Sequence, residues 1–170
     1  PNPYLQTILH GEKYSGVTLH LVTEKFDVGP ILKQEKIEIL DSYTSKELRE
    51  KSVHVARKLV TELIQDFDNK ILTPVAQDER QATYYPNILG DERMLDFKFQ
   101  TSTEISRTIR ALHPFLPTYI TFEKKFFVVN PYKFQIIDKE YNAHPGDIIG
   151  KNPEKNSLSL MCAEKKIIHF

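Results

Sequence analysis

Cysteine is almost lacking. Cys162 stands alone among the 170 residues, so no disulfide framework can form within the chain, and a reducing compartment fits best. Long apolar runs are missing too, and none approaches the ~18–20 residues that a membrane-spanning helix needs. No basic stretch followed by an apolar core opens the sequence, so no signal peptide is visible. The six glycines are scattered and form neither G-x-G-x-x-G nor a P-loop, which removes two common phosphate-binding devices. Histidines stand at 10, 20, 54, 113, 144 and 169 without an H-x-H or H-x-x-x-H pair, and Cys162 has no cysteine neighbour. A metal site therefore finds no support. Charge of one sign is also absent, since 23 Lys plus Arg balance 23 Asp plus Glu. Residues 1–90 carry 11 basic and 13 acidic side chains, and residues 91–170 carry 12 and 10, a bias too small to call for nucleic acid or a membrane. The expectation is a soluble, cytoplasmic protein.

What is present reads as an α/β chain. Asn2 and Pro3 are an N-cap and a first helical residue for a short helix over 3–10, closed by Gly11. "SGVTLHLV" alternates as a strand, "FDVGP" breaks it, and "ILKQEKIEI" is a second strand. Thr44 and Glu47 make a capping-box signal. It opens a long helix to about Phe67, with Leu48, Ala56, Leu59, Val60, Leu63, Ile64 and Phe67 on its apolar stripe. From Ile71 to about Asp91 the periodicity disappears. A second amphipathic helix is predicted at 102–112 with Ile105, Ile109 and Leu112 in phase. The short apolar runs "TYITF", "KKFFVV", "KFQII", "GDIIG", "SLSLMC" and "KKIIHF" then predict a small barrel or sandwich. The boundaries follow: residues 1–72 form one unit, 73–90 a linker and 91–170 a second unit. The opening "PNPYLQTIL" and the closing "KKIIHF" make both ends look cut.

Chemistry is concentrated in one place. Asp27 lies just past the first strand, where ligands of open α/β sheets bind, and the Gly29-Pro30 turn allows close backbone approach. The alternative is that Asp27 merely satisfies its own turn through backbone hydrogen bonds. Tyr84-Tyr85 and Phe126-Phe127 are aromatic pairs with two readings, base stacking or packing.

The stretch "GEKYSGVTLHLVTEKFDVGPILKQEKI" resembles the 10-formyltetrahydrofolate-dependent formyltransferases. That superfamily includes methionyl-tRNA, glycinamide ribonucleotide and amino-sugar formyltransferases. The matching elements are the G-V-T-L-H strand (Gly16–His20), the D-x-G-P turn (Asp27–Pro30), a following Gln-containing strand, and "TPVAQDERQATYYP". "STEISRTIRALHPFLPTYITF" and "HPGDIIG" resemble the C-terminal barrel domain of methionyl-tRNA formyltransferase and some sugar enzymes, which disfavours the glycinamide ribonucleotide enzyme.

The resemblance implies the C-terminal half of a Rossmann-like formyltransferase domain followed by a small OB-like β-barrel. It implies 10-formyltetrahydrofolate as formyl donor and an amine acceptor, either methionyl-tRNA or a nucleotide-linked amino sugar. Asp27 matches the Asp of an Asn-His-Asp triad. The Asn and His would lie in a preceding N-terminal half of the catalytic domain, a required partner. Phe26, Asp27, Val28 and Gly29 would line the folate pocket, and Thr18 and His20 sit on one strand face nearby. The chain by itself is expected to be inactive in formyl transfer. A third reading is a non-catalytic fragment that exposes a sheet edge and self-associates.

Overall fold

The computed structural model describes residues 2–88, 90–139, 141–152 and 157–170. Helix α1 (Pro3–Leu9) starts as the sequence dictates: the Asn2 side chain accepts from the N–H groups of Tyr4 and Leu5, and Pro3 needs no partner. The chain leaves the helix through Gly11, whose φ of 70° suits glycine. Strands β1 (Tyr14–His20) and β2 (Ile31–Glu38) pair antiparallel, with Thr18 opposite Gln34 and a bulge between Leu19 and His20. Residues 21–30 bridge them. Helix α2 (Ser45–Asp68) begins with the complete capping box of Thr44 and Glu47 and lies across the pair.

Helix α3 (Ser102–Leu112) has a second capping box, made by Thr101 and Glu104. After it come β3 (Tyr119–Phe122) and β4 (Lys125–Val128), which form a hairpin. The remaining strands are β5 (Gln135–Ile137), β6 (Ile148–Asn152), β7 (Ser157–Met161) and β8 (Ile167–His169). They make one antiparallel sheet in the order β5-β8-β7-β6. Each predicted short β run thus becomes a strand.

Two apolar clusters hold these elements. One gathers Leu5, Ile8, Ile37, Leu48, Val55 and Leu59 with Ala111 and Leu112 of α3. The other gathers Ile105 and Ile109 of the same helix with Leu95, Phe97, Ile120, Leu160 and Ile168. Helix α3 therefore belongs to both. Ser45 ties them further by donating to the Ala111 carbonyl at 2.6 Å, and Arg110 donates to the Tyr43 carbonyl at 2.8 Å.

The α/β class stands, with three differences in detail. None of the three sheets closes into a barrel among the described residues, because β5 and β6 end the largest sheet without pairing to each other. The strand "SGVTLHLV" stops at His20, and Val22 is 94% exposed beyond it. The apolar stripe of α2 is buried only as far as Leu59. Leu48, Val55 and Leu59 are covered, whereas Val60, Ile64 and Phe67 are 44, 57 and 70% exposed. A two-stranded sheet is too narrow to cover a 24-residue helix. No helix among the described residues is long and apolar enough to cross a membrane.

Candidate active-site loop

The loop over 21–30 is closed at its base by the Leu21 N–H, which donates to the Pro30 carbonyl at 3.0 Å. Gly29 sits so close to that base that a Cβ on it would lie 1.7 Å from the Leu21 oxygen. Only a residue without a side chain fits there. Asp27 takes φ of 59°, a left-handed conformation that Asp tolerates better than most residues.

The carboxylate of Asp27 is 97% exposed and has no hydrogen bond among the described residues. Its turn is pinned by another side chain. Gln77 reaches across from the connecting segment, and its Nε2 donates to the backbone carbonyls of Asp27 at 2.9 Å and Gly29 at 2.7 Å. A single amide nitrogen with two hydrogens is well suited to bracket two carbonyls. The same segment is tied to β2 by a reciprocal bridge. The Ile31 N–H donates to Val75 at 2.7 Å, and the Val75 N–H donates to Ile31 at 2.8 Å. Farther on, Gln6 donates to the Pro86 carbonyl at 2.8 Å, and Tyr85 lies on His10 with ring centroids 4.4 Å apart. The segment over 75–86 is therefore fastened at several points, and it reaches the Asp27 loop through Gln77.

His20 faces Asp27, with Nε2 3.8 Å from Oδ1. This is too long for a hydrogen bond. Its Nδ1 lies 2.9 Å from the Leu21 carbonyl oxygen, and since a carbonyl only accepts, Nδ1 carries a proton. Thr18, two residues earlier on the same face, accepts from Gln34 Nε2 at 2.8 Å. The Phe26 ring is 96% exposed. The backbone N–H groups of Phe26, Asp27, Val28 and Gly29 have no partner among the described residues. An exposed apolar ring and unpaired N–H donors thus stand together on a pinned loop.

Structure thus brings Asp27, His20, Phe26 and Gly29 to one end of the β1–β2 pair. Sequence reasoning missed Gln77. The signal available was its place in "TPVAQDER", a stretch that resembled the superfamily without revealing what its Gln touches. No cluster of three His, Cys, Asp or Glu side chains suited to a metal ion occurs among the described residues.

The family described as Formyl transferase matches residues 1–64, a span that contains this loop. A methionyl-tRNA formyltransferase of Mycoplasma mycoides subsp. mycoides is 31% identical over 167 residues, covering 98% of this chain and 52% of that protein. In structure the chain is similar to HypX from Aquifex aeolicus in complex with tetrahydrofolic acid, with a TM-score of 0.73 and 16% identity. That match covers 99% of this chain and 29% of HypX. It is also similar to an N-formyltransferase from Helicobacter canadensis in complex with folinic acid and dTDP-3-aminofucose, with a TM-score of 0.71 and 21% identity. Here 98% of this chain and 58% of the other are covered. At these identities the structural likeness shows a shared fold. The chain spans about half the length of the curated relatives it matches.

Proposed function

We propose, from the premise that this chain is a relative of the formyltransferase superfamily, that it supplies part of an enzyme transferring a formyl group from 10-formyltetrahydrofolate to an amine. One observation carries the reading. The Asp27 carboxylate is not spent on its own turn: Gln77 holds the bend, and the carboxylate stands unbonded at the end of the strand pair beside His20.

In that reaction the acceptor nitrogen attacks the formyl carbon, the attacking amine loses a proton, and the N10–carbon bond breaks as N10 takes up a proton and leaves as tetrahydrofolate. Charge develops on the formyl oxygen. Stabilising it takes hydrogen-bond donors, which the resemblance assigns to an Asn and a protonated His of the preceding half-domain. Asp27 would orient that His and favour its charged form, and it would help to remove the proton released by the amine. The Phe26 ring and the unpaired N–H groups over 26–29 would hold the donor's ring system. Thr18 and His20 would lie along the neighbouring strand face.

Two surfaces would receive such a half-domain. Strand β1 has a ladder on one side only among the described residues, and the second half of α2 presents Val60, Ile64 and Phe67 to solvent. An open strand edge beside an apolar helix face is the surface that further strands of a Rossmann-like sheet would cover. Without that partner the chain itself should transfer no formyl groups at a useful rate. The short strands β3–β8 are read as the appended, OB-like domain, which favours a methionyl-tRNA acceptor. A nucleotide-linked amino sugar is the second reading, motivated by the likeness in fold to the Helicobacter canadensis protein.

The test uses protein that carries the preceding half-domain, assayed with 10-formyltetrahydrofolate against methionyl-tRNA and nucleotide-linked amino sugars. Asp27→Asn should lower turnover by at least about 100-fold, the lower bound for a positioned acid–base group. Full turnover by that variant, or by residues 1–170 alone, would sink the assignment of Asp27 or of the partner.

A further inference from the structure

The segment that carries Gln77 runs on to helix α1, and the ties along it leave little slack. We propose that it is a taut strap, through which Tyr85 and Gln6 at its far end act as positioning residues for the Asp27 loop, with Gln77 as the link.

Three observations lead there. First, the two ends of the strap are fixed to different elements. At one end Gln77 brackets the Asp27 and Gly29 carbonyls, next to the Val75–Ile31 bridge. At the other end Gln6 of α1 donates to the Pro86 carbonyl, Tyr85 lies on His10, and Ile88 packs against the apolar cluster of Leu5 and Ile8. This second anchorage is firm. Gln6 is 7% exposed, and the His10 ring is itself held, with Nδ1 2.9 Å from the Gln6 carbonyl oxygen. Second, the stretch between the two ends is drawn in by its own turn. The Asp78 carboxylate accepts from the backbone N–H of Arg80 at 3.2 Å, from the Arg80 guanidinium at 2.8 and 2.9 Å, and from Gln81 Nε2 at 3.1 Å. The N–H groups of Gln81 and Ala82 donate to the carbonyls of Asp78 and Glu79. Thr83 and Tyr84 are all that lies between this turn and Tyr85. Third, packing does not hold the stretch. From Ala76 to Tyr84 every residue except Gln77 is exposed, so the place of Gln77 over the loop is set by the ties on either side of it.

The physical consequence is a length dependence. Closing a span costs conformational entropy that grows with the number of residues in it. A short strap between fixed ends keeps Gln77 at the loop, and slack would let it leave more often. The Asp27 carboxylate has no hydrogen bond of its own among the described residues, so its place follows from the backbone that Gln77 brackets. The inference deepens the formyl-transfer reading by naming residues that position its carboxylate, and it rests on that reading for the chemistry. The strap itself is a property of the 170-residue chain.

The experiment inserts eight Gly and Ser residues between Ala82 and Thr83 of that chain, which about doubles the span from Gln77 to Tyr85 and leaves every tie residue in place. Native-state hydrogen exchange at the Leu21 amide should accelerate about threefold, the ratio that a doubled span implies, with amides in the middle of α3 unchanged. Tyr85→Ala with Gln6→Met frees the far end without lengthening the chain and should also accelerate exchange at Leu21. Tyr85→Phe keeps the ring on His10 and should leave exchange as in wild type. In a Gln77→Ala background neither the insertion nor the far-end pair should add to the acceleration, since the route through Gln77 is already cut. Circular dichroism checks that each variant keeps its fold. Unchanged exchange in the insertion variant or in the far-end pair overturns the proposal, as does an equal acceleration with and without Gln77. No formyl transfer is measured, so failure here leaves the reading of Asp27 standing, and a failed transfer assay leaves the strap standing.

Discussion

Removing the Gln77 side chain tests how the Asp27 loop is held. Gln77→Ala deletes two N–H···O bonds, to the carbonyls of Asp27 and Gly29. Each intramolecular bond contributes about 0.5–1.5 kcal/mol net. The Asp27 end is exposed and the Gly29 end partly buried, so the pair is placed at about 1–2 kcal/mol, below the sum of two buried bonds. The loss should be local, because the apolar clusters that set global stability do not include Gln77. The amides that report it are Leu21, donating to Pro30, and Ile31, donating to Val75, at the base of the loop and on the strap beside it. Native-state hydrogen exchange at these two should accelerate by about 5- to 30-fold, the ratio that 1–2 kcal/mol implies for local opening. Amides in the middle of α3 should be unchanged. Gln77→Glu should go further, since it sets a carboxylate against two carbonyl oxygens. A change below twofold at both reporter amides in Gln77→Ala would refute the claim that this side chain pins the turn.

Further outcomes follow from the same geometry. Gly29→Ala puts a Cβ into the Leu21 carbonyl and should lower the urea midpoint by an amount equivalent to about 1–3 kcal/mol; an unchanged midpoint would show the loop can yield freely. Burial acts to raise the pKa of Glu47, but hydrogen bonds from Thr44 and Tyr132 outweigh it and draw the carboxyl down to about 2 from 4.5. A depressed carboxylate stabilises the fold above its unfolded value and loses that effect as pH falls through about 2, so the stability gap between wild type and Glu47→Gln should shrink from pH 6 to pH 2; a gap independent of pH would refute the assignment. Burial, with Glu164 adding to it, pushes the Cys162 thiol up to about 12, so a thiol reagent at pH 8 should label the native chain far more slowly than the urea-unfolded one. Equal labelling rates would show that the thiol is reached without unfolding.

How much of this was legible in the sequence depended on the range of the interaction that fixes each feature. Capping is local, and the Thr44–Glu47 box and the Asn2 cap were read from residues within four positions of each other; the Thr101–Glu104 box has the same spacing and was missed. Alternation is local as well, which is why each short run after His113 becomes a strand. Closure of a sheet is not local. Whether β5 meets β6 depends on strand stagger and twist, which runs of three to five apolar residues do not encode. The extent to which the α2 stripe is covered is not local either. Periodicity tells which face of a helix is apolar, but the width of the partner sheet decides how much of that face is covered, and a two-stranded pair covers only Leu48 to Leu59.

The candidate site shows the same division more sharply. The left-handed bend at Asp27, the crowded glycine and the strand end all sit within ten residues, and the sequence points at them directly. What separates a functional carboxylate from one that merely ties its own turn is a contact 50 residues away. Gln77 performs the tying, and the Asp27 carboxylate is thereby relieved of it. A loop stabilised by its own Asp would lose its shape whenever that Asp engaged a ligand or changed protonation. A loop stabilised by a neutral amide from another segment keeps its shape while the carboxylate does either. The two roles are therefore separable by mutation: Gln77→Ala should disturb loop order with Asp27 intact, and Asp27→Asn should leave exchange at Leu21 and Ile31 within twofold of wild type. If Asp27→Asn instead loosened those amides as much as Gln77→Ala, the carboxylate would be a structural tie, and the argument that it stands free for chemistry would fail.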